Sequence, residues 1–163
     1  MKIVIIGLGL IGGSIAKGLS ASKEFEVLGF DIDQRSIESA KDNSSIDGSI
    51  NAIEDLRNIE YEDSLIIISA PPSETVEILQ SLDFLFNSSI TITDTTSTKS
   101  SLNETLQGLN FPTNIVFSHP VAGSHLSGEQ NSVASLFEGK STILSYHPSA
   151  TSKHVNRVKD LWQ

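Results

Sequence analysis

Lys2-Ile3-Val4-Ile5-Ile6-Gly7-Leu8-Gly9-Leu10-Ile11-Gly12-Gly13-Ser14-Ile15-Ala16 is the stretch on which the folding of this chain turns. Ile3 to Ile6 are four apolar β-formers in a row with no polar alternation, so the strand is expected to be buried on both faces, as in a parallel sheet. Gly-x-Gly-x-x-Gly follows at once, and then apolar residues at helical spacing: Leu10, Ile11, Ile15 and Leu19. In a strand–turn–helix unit each glycine has a mechanical task. Gly7 turns the chain off the strand, Gly9 lets the backbone approach a pyrophosphate, and Gly12 lets the helix lie close to the strand. The helix N-terminus, with Leu8, Leu10 and Ile11 set between the glycines, presents unpaired N–H groups and a positive dipole end to an anion. The plainer alternative is a glycine-rich turn with no ligand.

Asp31 stands 19 residues after Gly12, closing the next apolar run of Phe25, Val27, Leu28 and Phe30. A ribose-binding acid belongs there. Its carboxylate accepts from both ribose hydroxyls and repels a 2′-phosphate, so NAD is favoured over NADP. Arg35, four residues on, is placed to serve a phosphate instead. Without the upstream glycines Asp31 reads as a solvated strand-end acid, and Asp33 reads as the cap of the following helix.

At 163 residues the chain has the length of one domain and enough material for a core. A net charge of −9 argues against nucleic acid or an anionic membrane as partner, so any bound phosphate must rest on backbone amides and a few local cations. There is no cysteine, which excludes disulfides, a thiolate metal site and a catalytic thiol; no metal is expected. No run of 18 apolar residues occurs, and the N-terminus enters a core strand directly, so a cytoplasmic protein is expected.

Taken in order, Glu24 to Asp31 reads as the second strand, Gln34 to Asp42 as its return helix, and Asn43 to Asn51 as a loop with room for a short strand. Ala52 to Asp63 carries acids without a period and is expected to cover an edge. Ser64 to Ser69 is a central buried strand. Ser69-Ala70-Pro71-Pro72 ends it on the same rim as the glycine turn, where ligands collect in open parallel sheets. Ala70 and Pro71 either wall the nicotinamide end or simply stop the strand before a helix from Ser73 to Leu85. Ser89 to Asp94 is another strand, opening into the hydroxyl-rich turn Asp94-Thr95-Thr96-Ser97-Thr98-Lys99 and a helix to Leu106. Asn114 to Ser118 is a sixth strand, stopped by His119-Pro120. His119 to Lys140 is a long, functional loop anchored by Leu136-Phe137. Ser141 to Tyr146 is a last strand, and Thr151 to Gln163 a charged helix with Val155, Val158 and Leu161 on its apolar face. The fold class expected is α/β, a Rossmann-type doubly wound, mainly parallel sheet in three layers, as one domain over residues 1–163.

A redox cofactor carries hydride chemistry itself, and the protein supplies orientation and proton transfer. Imidazole is the side chain suited to moving a hydroxyl proton near neutral pH. Of four histidines, His147 before Pro148 and His154 on a solvated helix read as structural, and His125 lies inside the glycine-rich loop. His119 is the strongest candidate, because strand end plus proline fixes its backbone on the cofactor rim. Ser97 faces the same rim; the alternative is that Asp94 and Ser97 merely cap a helix.

Gly7-Leu8-Gly9-Leu10-Ile11-Gly12-Gly13-Ser14, then Asp94-Thr95-Thr96-Ser97-Thr98-Lys99, then His119-Pro120-Val121-Ala122-Gly123-Ser124-His125-Leu126-Ser127-Gly128 together resemble prephenate dehydrogenase, a family that includes the arogenate-using enzymes of tyrosine biosynthesis. The resemblance runs over the whole chain, including Leu136-Phe137-Glu138-Gly139-Lys140. It implies NAD-dependent oxidative decarboxylation of a small-molecule substrate. His119 takes the ring hydroxyl's proton, Ser97 hydrogen-bonds the same region, and Gly123 and Ser124 lie against the substrate. Lys99 falls beside the site or at a helix start. Family members often carry Glu-Lys where this chain has His125-Leu126. The family also places a helical domain, which supplies dimer contacts and cationic groups, after the nucleotide-binding domain. Ending at Gln163, this chain is therefore expected to bind NAD and to turn over substrate poorly, with a homodimer formed by the full-length protein. Two other classes remain: a dehydrogenase of the β-hydroxyacid type, with a lysine base from elsewhere, and a dinucleotide-sensing module without chemistry.

Overall fold

A computed structural model of the protein describes residues 1–22, 24–57, 63–122 and 128–163. Five parallel strands form the sheet: β1 (Lys2–Ile6), β2 (Glu26–Phe30), β3 (Gly48–Ser49), β4 (Leu65–Ile68) and β5 (Thr91–Asp94), in the order β3-β2-β1-β4-β5. β1 lies between β2 and β4, with Val4 opposite both Leu28 and Ile66. The chain therefore reverses its direction of travel across the sheet beside β1, and an open α/β sheet has its ligand crevice at that point.

The unalternated apolar runs are explained by the layers. Ile3, Ile5 and Ile67 point to one core, with Ile15 and Ala16 of α1 (Leu10–Ser20), Ile37 and Ala40 of α2 (Gln34–Asp42), and Val155 and Val158 of α5 (Ser152–Leu161). Val4, Ile6, Ile66 and Ile68 point to the other, with Leu79 of α3 (Pro72–Ser81) and Leu102 and Leu106 of α4 (Ser100–Gln107). Each strand of the pair feeds both cores, so polar residues have no face to occupy. The result is the three-layer, doubly wound arrangement.

Three details differ from the expectation. The α3 helix stops at Ser81, and the apolar residues beyond it form a 3-10 turn at Asp83–Leu85. His119-Pro120 does not stop the sixth strand: it lies inside β6 (Phe117–Pro120), which pairs antiparallel with β7 (Thr142–Ser145). The same chain segment pairs first in parallel with β5, where Ile92 N donates to Asn114 O at 2.9 Å and Val116 N to Ile92 O at 3.0 Å. A residue before proline is pushed to extended geometry, which suits a strand as well as a strand end. His154, expected in solvent, is buried with Val155 and Val158, its Nδ1 2.7 Å from Thr91 Oγ1. Burial, with the nearby Arg157 and Lys153 cations, pushes the His154 imidazole below its usual value, against the pull of Asp63. His147 is exposed and stacks on Phe111.

Candidate functional site

The carboxyl ends of β1, β2, β4, β5 and the Asn114–Val116 segment all reach one rim, because these strands run parallel. Gly7 has φ +95°, and a Cβ there would stand 2.5 Å from Ser69 O. A Cβ on Gly12 would stand 1.9 Å from Gly7 O. Both glycines let protein meet protein. Gly9 is different: no described atom lies within 4 Å of where its Cβ would be. It is the N-cap of α1, without a side-chain cap or an acid in the first turn. The donors at that helix end therefore face open space, as an anion cradle requires.

Asp31 is half-buried at the end of β2. Its Oδ2 accepts from Leu8 N at 2.7 Å and its Oδ1 from Asp33 N at 2.8 Å. Two of the roughly four lone-pair positions of a carboxylate are thus used to hold the glycine turn, and the rest remain available for hydroxyls. A cavity of about 240 Å³ opens beside it, lined by Gly7, Gly9, Asp31, Ile32, Ala70, Pro71 and Glu74 among others. Ala70 and Pro71 therefore share a cavity with Asp31. Ile32, 96 % exposed, sets a flat aliphatic surface next to the carboxylate. The Ser73 hydroxyl holds the Glu74 carboxyl below the usual glutamate range, so two anions edge this cavity. Arg35 is engaged by Asp33, whose Oδ1 also accepts from Arg35 N at 3.1 Å and caps α2.

At the other end of the rim the turn after β5 is tied to β6 by side chains. Lys99 Nζ donates to Asp94 Oδ1 and Oδ2 at 2.7 and 2.6 Å, and to Ser118 O at 2.9 Å. Thr96 N and its hydroxyl also donate to the Asp94 carboxylate, and Ser118 Oγ donates to Asp94 O at 2.6 Å. Burial pulls the Lys99 ammonium below the usual lysine range, and the Asp94 charge opposes the shift. Lys99 thus stands at the start of α4 as expected, but as half of an ion pair. Asp94, 1 % exposed, is the last residue of β5 and does not cap α4, whose N-cap is Lys99 with no side-chain cap hydrogen bond.

His119 follows Ser118 directly, on a backbone paired with Ile143 of β7. Its Nδ1 is buried and has no hydrogen-bond partner among the described residues. Such a group is uncommon in a folded protein and calls for an explanation. Ser97 is exposed within the clamped turn. Gly123, Ser124 and His125 lie outside the described residues. Among the described residues there is no cluster of three or more His, Asp or Glu fit to hold a metal ion, and no helix long and apolar enough to cross a membrane.

The Asp94–Lys99–Ser118 knot was only half legible: the acid and the lysine share one short motif, but nothing local points to Ser118. A buried carboxylate on Glu129, 2 % exposed, had no local signal at all.

The sequence profile of the family described as prephenate dehydrogenase, nucleotide-binding domain, matches residues 15–163. The chain is 38% identical over 149 residues to a prephenate dehydrogenase of Lactococcus lactis, covering 88% of this chain and 40% of that protein. It is 28% identical to a cyclohexadienyl dehydrogenase of Zymomonas mobilis, over 99% of this chain and 54% of that protein. The crystal structure of prephenate dehydrogenase from Aquifex aeolicus in complex with hydroxyphenyl propionate and NAD+ superposes with a TM-score of 0.88 at 30% identity, covering 99% of this chain and 56% of that one. The chain thus spans from 40% to 56% of the length of these relatives.

Proposed function

The chain belongs to the prephenate dehydrogenase family through its nucleotide-binding domain, and from that premise we propose that it binds NAD as the cofactor half of a prephenate dehydrogenase, with arogenate as the alternative substrate. The observation that carries the cofactor half is the open space in front of Gly9 beside the Asp31 carboxylate. The N–H groups of Gly9, Leu10 and Ile11 hold the pyrophosphate, while Leu8 gives its N–H to Asp31 and lines the turn. Asp31 accepts from the ribose hydroxyls. Ala70 and Pro71 line the same end. Asp31 and Glu74 together disfavour a 2′-phosphate, and Arg35 is already occupied.

NAD, when bound, supplies the hydride acceptor. His119 accepts a hydrogen bond from the ring hydroxyl and takes its proton as the carbon–oxygen bond gains carbonyl character. The bond to the ring carboxylate then breaks, carbon dioxide leaves, its electron pair enters the ring, and His119 returns the proton to the new phenolic oxygen. General-base help of this kind is typically worth about 10²–10⁴ in rate. Ser97, Gly123 and Ser124 position the substrate. A buried Nδ1 on His119 without a hydrogen-bond partner among the described residues supports an imidazole kept for a ligand rather than for structure. A cytoplasmic location and a homodimer of the full-length protein complete the proposal.

The test has two stages. Calorimetric titration of the 163-residue chain is expected to give NAD binding and much weaker NADP binding. H119N in the full-length protein, assayed with prephenate and with arogenate, is expected to lower kcat about 10²–10⁴-fold with NAD affinity preserved. A full-length H119N protein with wild-type kcat refutes the catalytic assignment.

A further inference from the structure

Glu129 is a buried acid for which the proposed chemistry has no use. Its Oε1 accepts at 2.8 Å from Nδ2 of Asn43, the C-cap of α2, and lies 3.3 Å from Lys17 Nζ of α1. Its Oε2 accepts from the Ser39 hydroxyl of α2. Burial pushes this carboxyl up, yet the Ser39 and Asn43 donors and the Lys17 ammonium outweigh it and hold the group below the usual glutamate range. The neighbouring backbone is fastened to α1 as well: Lys17 Nζ donates to Ser132 O at 3.0 Å, and Val133 N donates to Ser14 Oγ at 3.0 Å.

A second observation converges on the same place. Gly13 stands beside the glycine motif, which needs only Gly7, Gly9 and Gly12. A Cβ on Gly13 would meet Ser132 Oγ at 2.9 Å and Glu129 Cγ at 3.4 Å. Gly13 is a glycine because this strap lies flat on α1.

The two helices so joined carry the two ends of the cofactor site. The N-terminus of α1 faces the open cradle at Gly9, and α2 starts just after Asp31. We propose that Glu129 is a positioning residue of the cofactor site, fixing α1 against α2 from 90 residues downstream of Ser39 and so setting the span between the phosphate end and the ribose end. The proposal rests on the dinucleotide assignment above.

Ligands that span both ends separate this role from general stability. ADP carries ribose and both phosphates, adenosine reaches the ribose end, and inorganic pyrophosphate reaches the cradle. In E129Q of the 163-residue chain, NAD and ADP are expected to bind about tenfold more weakly, with adenosine and pyrophosphate each changed by less than about twofold. K17M is expected to give the same pattern. G13A keeps both charged groups but pushes the strap, Glu129 included, away from α1. If E129Q fails to fold, selective weakening of NAD and ADP in G13A supports the proposal, and unchanged ADP binding overturns it. Equal losses for ADP and adenosine, or no loss for ADP, overturn the proposal. A wild-type chain that binds neither NAD nor ADP removes it together with the dinucleotide assignment, whereas a wild type that binds ADP no better than a folded E129Q removes it alone.

Discussion

At the β1–β2 end of the rim the working groups are backbone N–H donors and one carboxylate, and the glycines are there because of what must come close. At the β5–β6 end a buried ion pair and several hydroxyls tie a turn to a strand, so side chains do there what the main chain and one carboxylate do at the other end. The first end is preformed by the course of the main chain and has no room for a side chain at Gly7 or Gly12. The second is held by charges taken out of water, and such a pair is safe only while both partners are present.

The sharpest way to break the contrast is K99M. It leaves Asp94, 1 % exposed, without its cation, and is expected to lower stability by about 3–5 kcal/mol in denaturant unfolding. In the fraction that remains folded, NAD affinity should stay within about threefold if the two ends are independent. Coupled loss of both would show one cooperative site instead.

Next come two alanine substitutions that separate the glycines. G12A drives a Cβ toward Gly7 O, at 1.9 Å before relaxation, and should cost about 3 kcal/mol and abolish NAD binding. G9A meets no described atom within 4 Å, so its stability should change by less than about 0.5 kcal/mol while NAD binds at least about tenfold more weakly. Thermal unfolding and titration of the two variants side by side read both effects.

The first end was legible because its parts are contiguous. A strand, a glycine turn, a helix and an acid lie within residues 2–31, and each residue type is dictated by what the main chain does there. The Gln34–Asp42 helix and its Asp33 cap follow from local signals too. The second end joins Asp94 to Lys99, which are close in sequence, but also to Ser118, 24 residues away, and no periodicity reports such a meeting. Strand direction was equally hidden. An apolar run says that a strand is buried, not whether its neighbour runs beside it or against it, so the passage of one segment from β5 to β7 left no trace. Glu129 was invisible for the same reason, since its partners are Lys17 of α1, Ser39 of α2 and the α2 C-cap Asn43. His154 was misjudged because Val155, Val158 and Leu161 define a face, and a polar residue on its flank turns inward when Thr91 offers it a partner.

The smallest effect expected is a pH slope far from the rim. Burial holds the His154 imidazole below its ordinary value of 6.5, so the unfolded chain takes up this proton before the folded one. The stability it contributes is present above about pH 6.5 and is lost as pH falls through the folded-state value, by at most about 1.4 kcal/mol per pH unit for one proton. H154Q should flatten the decline between pH 7 and pH 5 in denaturation midpoints, and an unchanged slope would assign it to other groups.

The ladder that β6 shares with β7 has a bearing on motion. The peptide of Ser118 is nailed to the ion pair, and the peptide of His119 is hydrogen-bonded in register with Ile143. A backbone gripped from two sides cannot swing, so the imidazole can adjust its aim only by rotating about its own side-chain bonds. If a ligand is bound at this rim, adjustment around it is expected to come from the elements that approach the ring and not from the strand that bears it.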